Sequence, residues 1–347
     1  MAMRFLLNLI WFPLVFISKI VRIAFAFFCV LLLLGGYVTL RMPGSSYTGP
    51  LPPLTRHERE IQKNLRYDVK VLAGKIGQRN LRHYANLQDA AAYIEHELKA
   101  AGYEVEFQKF SVKGKECANI IAEVPGAKFY REIVIASGHY DTMEGTLGAD
   151  DNASGVAGLL SLARYFSDKK ISRTLRFVFF VNSEPPYFQT PQMGSLVYAK
   201  HCARKNENIV AVLNLHSIGY YSREKGSQKF PIPLKWFYPQ TGNFVNFVGN
   251  TASIGLVKEV VGLFRENAKF PSEGITFPDT SRGIGLSDQW AFWQYNYPAL
   301  MITDTAPYRN PYHHTRKDTP YHLNYDNMAR VVAGLEDVLG EMVFVRR

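Results

Sequence analysis

Two short polar stretches near the middle of the chain carry residue types suited to metal chemistry. The first is His139-Tyr140-Asp141, and the second, residues 148–155, reads Gly-Ala-Asp-Asp-Asn-Ala-Ser-Gly. Ile and Val are frequent in residues 131–136, which predicts a buried strand, and apolar residues recur at helical spacing after Ser154. An open α/β sheet builds its site where a strand, a polar loop and a helix follow in this order. Helix capping would explain the Asn and Ser of the loop, but not the His-x-Asp pair or the doubled Asp.

Five candidate metal ligands follow the predicted strands of the chain. They are His139, Asp151, Glu184, His216 and His314. Zinc favours imidazole and carboxylate ligands together, and one shared carboxylate can hold two ions a few ångströms apart. A single His or Glu at the end of a strand is more often a capping or solvated group. Five such residues at equivalent positions favour a metal site.

The elements that would position these ligands alternate between strands and helices. Predicted strands cover residues 104–110, 118–123, 131–136, 174–181, 209–215 and 298–303. Predicted helices cover residues 56–76, 86–101, 155–167, 195–205, 252–268 and 324–346. This alternation predicts one α/β domain over residues 56–347, with a mostly parallel central sheet and helices on both faces. Residues 218–250 are rich in Tyr, Phe, Pro and Gly and are interpreted as an insertion beside a pocket.

The first 41 residues differ from the rest of the chain. Residues 23–40 are uncharged and form a run at the short end of the length needed for a membrane-spanning helix, whereas residues 5–17 are too short. We favour an uncleaved anchor over a signal peptide, because the apolar run is long and no small-residue cleavage site follows it cleanly. Basic residues before the span predict a single-pass protein with a cytoplasmic amino terminus and an extracytoplasmic globular domain. Residues 42–55, with four prolines, are interpreted as an extended tether.

Composition excludes several classes of protein. Of the 347 residues, 47% are apolar, which is enough for a full hydrophobic core, so the chain is neither disordered nor fibrous. The net charge of +10 is not concentrated in a basic run of the globular part, so it suits an anionic membrane surface and does not indicate nucleic acid. Three cysteines exclude a disulfide framework and leave Cys117 and Cys202 as a candidate pair.

Four patches together carry a resemblance to a known family. They are residues 139–141, residues 148–155, the Glu184-Pro185-Pro186 loop with Met193-Gly194-Ser195, and the run His314-Thr315-Arg316-Lys317-Asp318-Thr319. Residues 214–220 and 287–289 fit two further segments. The chain resembles the co-catalytic zinc aminopeptidase family, which includes bacterial leucyl aminopeptidases and relatives of glutamate carboxypeptidase. The similarity extends from about Leu72 to the last predicted helix.

The resemblance implies a three-layer α/β sandwich that hydrolyses peptides next to a free amino terminus. One zinc would be held by His139, Asp151 and His216, and the other by Asp151, Glu184 and His314, with Asp151 shared. Asp141 would stand behind His139 and fix its tautomer. In the family, a water between the two zincs attacks the peptide carbonyl. A Glu just before the position of Glu184 moves the proton of that water to the leaving amine.

Three positions depart from the family pattern. Ser183 replaces the general-base Glu, and its hydroxyl has no accessible basic form near neutral pH. Loss of a positioned base lowers a rate by roughly 10²–10⁴. His216 stands where Asp or Glu is usual, which keeps a zinc ligand but removes one negative charge. Gln289 stands where His is usual and is expected near the substrate.

These departures leave three functions open. The first is a membrane-anchored zinc metallopeptidase that acts on the amino termini of peptides. The second is a catalytically impaired relative that binds a peptide or a protein partner. The third is a single-zinc enzyme similar to glutaminyl cyclases, which would use Asp151, Glu184 and His314. One tightly held zinc is predicted and a second is left open, while His313 is interpreted as a loop residue rather than a ligand.

Overall fold

The structure, a computed structural model, describes residues 21–28, 30, 35–36, 41–230, 234–281 and 283–344. The chain divides into two units, Met1–Arg41 and Met42–Arg347. In the first unit, the described residues 21–28, 30 and 35–36 are helical. Half of the predicted membrane span, namely residues 29, 31–34 and 37–40, lies outside the described residues. Among the residues that the structure describes, none of the helices combines the length and the apolar character needed to cross a membrane.

The second unit alternates helices and strands. Its helices are α1 (Arg56–Val69, continued by the π-helical stretch Lys70–Ile76), α2 (Tyr84–Ala100), α3 (Gly155–Phe166), α4 (Gly194–Arg204), α5 (Ile254–Asn267), α6 (Gln289–Trp293), α7 (Ala306–Arg309) and α8 (Tyr325–Val343). Its strands are β1 (Val105–Val112), β2 (Lys115–Val124), β3 (Phe129–His139), β4 (Arg173–Phe180), β5 (Asn208–Leu215), β6 (Val245–Asn250), β7 (Ser272–Phe277) and β8 (Ala299–Thr303). The predicted helices and strands are confirmed, with ends shifted by a few residues.

The strands form one sheet in the order β1-β2-β4-β3-β5-β8-β6-β7. The neighbours β4, β3, β5 and β8 are parallel, and so is the edge pair β6–β7. The pairs β1–β2, β2–β4 and β6–β8 are antiparallel, so four of the seven strand pairs of this mixed sheet are parallel. The connection between β1 and β2 explains one of the antiparallel pairs. Lys113 and Gly114 both have positive φ, and a two-residue turn of this kind joins antiparallel strands.

Helices cover both faces of the sheet. Helices α1, α2, α3, α5 and α8 form one packed group, and α4 packs against α6. On β4, Phe179 belongs to the core beneath the first group, whereas the neighbouring Phe180 contacts Tyr198 of α4 and Phe292 of α6. Because successive side chains of a strand point to opposite faces, the two helix groups lie on opposite faces. Burial from both sides explains why β3 and β4 read as continuous apolar runs.

Two strands were not predicted from the sequence. β6 lies at the end of the region interpreted as an insertion, and β7 lies in the segment after α5, where no strand was predicted. β6 reads Val-Asn-Phe-Val-Gly-Asn and β7 reads Ser-Glu-Gly-Ile-Thr-Phe. Gly, Asn, Ser and Glu are not typical of strands, so the local signal was weak. Pairing with β8 and with each other stabilises these two strands.

Residues 42–55, which were predicted to be a tether, have no helix or strand and pack on the second unit. The buried Met42 side chain packs against Gly274 of β7. A Cβ atom at this glycine would lie only 2.8 Å from the Met42 Cγ atom. Ser46 Oγ accepts the backbone N–H of Ser272 at 2.9 Å. Arg330 of α8 donates to the carbonyl of Pro52. This segment therefore contributes to the fold of the second unit.

The two buried cysteines of the second unit are free thiols. Cys117 on β2 belongs to the core that also contains α1, α2 and α3, whereas Cys202 lies on α4. The helix groups cover opposite faces of the sheet, so the sheet separates the two sulfurs. The candidate disulfide is therefore excluded.

Candidate metal centre

The carboxyl ends of the parallel strands lie at one edge of the sheet and bring the predicted ligands together. His139 is the last residue of β3, Ser183-Glu184 follow β4, and His216 comes directly after β5. The polar loop before α3 adds Asp151, and the loop after α7 adds His314. Residues that are far apart in the sequence thus meet because parallel strands end at the same edge.

Asp151 is the centre of this cluster, since both of its carboxylate oxygens face imidazole nitrogens. Oδ1 lies 3.1 Å from His216 Nε2 and 3.4 Å from His139 Nε2. Oδ2 lies 3.0 Å from His314 Nε2, and that nitrogen is 3.4 Å from Glu184 Oε1. Two ligand atoms that each bind a tetrahedral zinc ion at about 2.0–2.1 Å lie roughly 3.3 Å apart. The spacing of the five residues therefore fits zinc.

Two buried oxygens of the cluster support the same conclusion. Asp151 Oδ1 and Glu184 Oε1 have no hydrogen-bond donor among the residues that the structure describes. A buried carboxylate oxygen without a partner destabilises a fold unless a cation or a proton compensates its charge. His139, Asp151 and His216 each offer a ligand atom within 4.8 Å of the others. The donor set and its orphaned oxygens therefore match the requirements of a zinc ion.

His313 joins the cluster, although its place in the sequence predicted a loop residue and not a ligand. Its Nδ1 lies 3.3 Å from Asp151 Oδ2, and its ring stacks on that of His314 with 3.8 Å between the ring centres. Nδ1 is buried and forms no hydrogen bond with any residue that the structure describes. Asp151, His313 and His314 form a second group of ligand atoms close enough to share one ion. The repeated His in the loop was the only sequence signal for this role.

The electrostatics of the cluster favour a bound cation. Burial by itself would raise the pKa of Asp151, but the facing imidazoles, with His216 foremost, hold this pKa well below its usual range. Burial would lower the pKa of His314, yet the nearby carboxylates of Asp151 and Glu184 raise it to about 10. The pKa of His139 is raised as well, against burial, by Asp141 and Asp151. The carboxylates thus require positive charge, which imidazolium groups or a metal dication can supply.

Asp141 lies beside His139 and also holds the neighbouring loop. Its backbone oxygen is 3.1 Å from His139 Nδ1, and its carboxylate Oδ1 is 3.4 Å from the same nitrogen. The carboxylate accepts the backbone N–H groups of Ser183 and Glu184, both at 3.1 Å. The backbone oxygen is therefore the closer acceptor for His139 and directs Nε2 of this ring toward Asp151. The carboxylate mainly fixes the position of Glu184.

Asp318, a residue without an assigned role in the sequence, holds the loop that carries Asp151. Its carboxylate accepts the backbone N–H groups of Asp150 at 2.8 Å and Asp151 at 3.1 Å. The loop begins at Gly148, where φ is 58° and a Cβ would come within 2.4 Å of the Asp151 carbonyl oxygen. Asp318 belongs to the same motif as His314. The motif therefore supplies the candidate ligand His314 and also holds the loop of a second candidate ligand, Asp151.

Ser183 and Gln289, two of the substituted positions, differ in their placement. Ser183 lines the same small cavity as Glu184, and its hydroxyl donates to Asp288 Oδ1 at 2.5 Å. Gln289 is fully buried, and its amide donates to the carbonyl of Ile284 at 2.7 Å. Gln289 lines neither cavity beside the cluster, but its side chain ties the backbone at Ile284, which lines the larger one, so a place near the substrate stays a prediction.

The fold, together with a carboxylate shared among imidazoles at the strand ends, defines the class of co-catalytic zinc aminopeptidases. Residues 119–338 match Peptidase family M28, and the chain belongs to this family. It is 34% identical over 329 residues to "Uncharacterized protein YfbL" of Escherichia coli (strain K12), a match that covers 92% of this chain and 98% of the relative. The resemblance to zinc aminopeptidases is thereby confirmed, and zinc is the metal of these enzymes.

Two solved structures share the fold. A zinc aminopeptidase from Bacillus subtilis is 15% identical, with a TM-score of 0.67 over 81% of this chain and 95% of that chain. A glutaminyl cyclase from Tannerella forsythia is 20% identical, with a TM-score of 0.59 over 82% of this chain and 99% of that chain. At these identities the similarity concerns the fold alone. Peptidases and cyclases share the fold, so the site has to decide between the two activities.

Proposed function

We propose that the protein is a zinc metallopeptidase that releases residues from the amino termini of peptides. The observation that carries this proposal is the position of the metal cluster. Asp151, Glu184, His216 and His314 line one small cavity of about 170 Å³, and His216 also lines a larger, mainly apolar cavity of about 230 Å³. A side chain held in the apolar cavity would bring the adjacent peptide bond to the cluster.

We assign the ligands as the family resemblance implies. His139, Asp151 and His216 would hold one zinc ion. Asp151, Glu184 and His314 would hold the other, with His313 as an additional donor on that side. Bound zinc would polarise the peptide carbonyl and lower the pKa of a water molecule. Asp141 keeps His139 and Glu184 oriented, and the hydroxyl of Ser183 faces the same cavity.

The apolar cavity indicates the type of amino-terminal residue. Its lining includes the side chains of Phe230, Leu234, Val248, Ile275, Phe277 and Met301. These residues come mainly from the region around the unpredicted strands β6 and β7 and from β8. A cavity of this size and polarity excludes charged side chains and accepts a large aliphatic or aromatic one, since burial of apolar surface stabilises binding.

The proposal is tested with the metal-loaded protein and aminoacyl anilide substrates. We expect release of the anilide from Leu and Phe substrates and little from Asp or Lys substrates. N-acetylated Leu anilide serves as the control, because blocking the amino terminus should abolish turnover. Removal of zinc with a chelator should stop the reaction, and adding zinc should restore it. Zinc bound without turnover of any free-amino substrate would contradict the proposed activity.

A second candidate is a catalytically impaired domain that binds a peptide or protein partner. Ser183 at the general-base position is the observation that favours it. This candidate predicts that peptides with apolar amino termini bind to the zinc-loaded protein without being cleaved. Isothermal titration with a Leu-initiated peptide, followed by chromatography of the recovered peptide, distinguishes the two functions.

The arrangement in the cell is part of the proposal. Residues 1–41 would form a single-pass anchor, with the span at about residues 23–40, and residues 56–347 would form the domain outside the cytoplasm. The apolar composition of the first 41 residues and the four basic residues within them support this proposal. Accessibility of the domain to protease added outside intact cells would test it.

A further inference from the structure

The place of the missing general base is occupied by a hydrogen-bonded pair. Ser183 lines the small cavity together with Asp151, Glu184 and His314. Its hydroxyl oxygen lies 2.5 Å from Asp288 Oδ1, and Asp288 is completely buried. A carboxylate thus stands directly behind the serine, on the side away from the cavity. The sequence alone gave no role to Asp288.

The direction of this hydrogen bond follows from the two groups. An ionised carboxylate only accepts hydrogen bonds, so the Ser183 hydroxyl must donate to Asp288. The lone pairs of the Ser183 oxygen are then free to accept a hydrogen bond from a molecule in the cavity. The backbone of Ser183 is fixed, since its N–H donates to Asp141 at 3.1 Å. Asp288 Oδ2 has no donor in the described part of the chain, so the carboxylate retains capacity to bind a proton.

We infer that Ser183 and Asp288 act together as the proton acceptor of the hydrolytic reaction. This inference rests on the proposed peptidase function. A water in the cavity gives a proton to Ser183 Oγ while the hydroxyl proton of Ser183 passes to Asp288 Oδ1. The water oxygen forms a bond to the peptide carbonyl carbon. When the C–N bond breaks, the proton returns from Asp288 through Ser183 to the leaving amine, so water is consumed and both side chains are restored.

Burial of Asp288 is consistent with this role. It raises the pKa of this carboxyl group above its ordinary value, with partial opposition from His139 and the Ser183 hydroxyl. A carboxylate with a raised pKa is a stronger base than an exposed one, and a base works best when its pKa approaches the working pH. A purely structural hydrogen bond would need neither the open side of Ser183 nor the unpaired oxygen of Asp288.

Variants of the full zinc-loaded protein test the inference. Ser183→Ala and Asp288→Asn should each lower kcat by about 10²-fold with KM changed less than about threefold. Their double variant should be no slower than either single one, because both residues act in one path. Ser183→Thr, which keeps a hydroxyl, should keep most of the rate. The matched control is Ser161→Ala, a buried serine of α3 that lines neither cavity. Zinc content and circular dichroism check that each variant is folded and loaded.

Ser183→Glu adds a readout that a structural role would not affect. It places a carboxylate in the cavity, so in this background Asp288→Asn should lower kcat by less than about threefold. If the wild type is active and Ser183→Ala leaves kcat unchanged, the pair is not the proton acceptor and the peptidase function stands. Equal losses for Asp288→Asn with Ser183 and with Glu at 183 would likewise overturn the inference. If the zinc-loaded wild type cleaves no substrate, the proposed function and the relay both fail.

Discussion

At the scale of single residues, one carboxylate faces four imidazole rings. Asp151 Oδ2 lies near His314 and His313, and Oδ1 lies near His139 and His216. Because His216 replaces an acid, the ligands carry less negative charge than the family pattern provides. Imidazole binds zinc only in its neutral form, so metal binding at this centre is coupled to the release of protons. His313 supplies a further neutral imidazole on the Oδ2 side of Asp151.

His313 is the residue whose contribution to metal binding can be measured most directly. Burial lowers its pKa to about 4, so its ring is neutral near pH 7 and can donate a lone pair. His313→Ala should weaken zinc binding on the side of His314 and Glu184 by roughly tenfold or more, the range typical for loss of a supporting group. Competition with a chromophoric chelator measures this change, and the absorption spectrum of the cobalt-substituted protein should change as well. The exposed His201, replaced by Ala, is the control. Identical zinc affinity in the two variants would show that His313 is only a loop residue.

The sequence predicted the five ligand candidates because each follows a strand of the parallel set β3, β4, β5 and β8, and the carboxyl ends of these strands lie at the same edge. His313, Asp318 and Asp288 could not be assigned in this way. Their roles depend on distances between loops that are far apart in the sequence, such as the 2.8 Å contact from Asp318 to the Asp150 amide. Periodicity predicts which element a residue belongs to, but it does not predict which loops touch.

At the scale of elements, one buried ionic group joins the first three helices of the domain. Asp68 of α1 is fully buried and accepts two hydrogen bonds from Arg164 of α3, at 2.8 and 3.0 Å. Tyr93 of α2 donates to the same carboxylate at 2.6 Å, and Glu97 of α2 accepts from Arg164 at 2.7 Å. Helix α3 follows directly on the loop that carries Asp151. The group therefore holds α3 in place, and α3 supports the loop that carries Asp151.

Replacement of Asp68 by Ala should destabilise the protein by about 3–5 kcal/mol, because Arg164 and Tyr93 would lose a buried partner. Urea unfolding measures this difference. The matched control is Glu60→Ala, which removes the exposed pair with Arg56 and should change stability by less than about 0.5 kcal/mol. The folded Asp68→Ala variant should still bind zinc, since Asp68 is not in the cluster. Equal stability of the two variants would contradict a structural role for the buried group.

Some strands of the sheet are easier to predict from the sequence than others. Strands β3, β4 and β5 are buried on both faces and have long apolar runs, so their sequences identify them. Strands β6 and β7 are equally buried for the most part, yet contain Gly, Asn and Ser in place of β-branched residues. The structure of β6 depends on pairing with β8, which lies well beyond it in the chain, and β7 pairs with β6. The antiparallel direction of β6 relative to β8 has the same origin, since no local pattern specifies it.

At the scale of the whole domain, residues from its two ends meet. Helix α8 packs against α1 and α5, and residues 42–55 contact both β7 and α8. His57 Nε2 of α1 lies 2.6 Å from Glu336 Oε2 of α8. Residues near the start and the end of the domain thus stabilise one another across the face that supports the metal loop. Such contacts form only when the complete domain has folded, so they add to its cooperativity.

Burial of the Glu336 carboxyl group gives the domain a pH-dependent stability. Burial raises the pKa of Glu336 from 4.5 to about 7, although His57 opposes the shift. The folded protein therefore holds this proton more tightly than the unfolded chain does. The contribution of Glu336 to the free energy of unfolding is fully present below about pH 4.5 and is lost as the pH rises through about 7. The expected loss is about 1–3 kcal/mol across this window.

Glu336→Gln should remove this part of the pH dependence, because the amide keeps the shape of the side chain and carries no titrating proton. Urea unfolding at pH 5 and at pH 7.5 measures the change for the wild type and for the variant under the same conditions, so other titrating groups cancel. Glu341→Gln, an exposed change on the same helix, should leave the wild-type difference intact. If Glu336→Gln and the wild type lose the same free energy of unfolding between the two pH values, the Glu336 carboxyl group does not cause the pH dependence of stability. Because both helices pack against α3, which follows the metal loop, a stabilised Glu336→Gln protein should also retain zinc to higher urea concentrations at pH 7.5 than the wild type does.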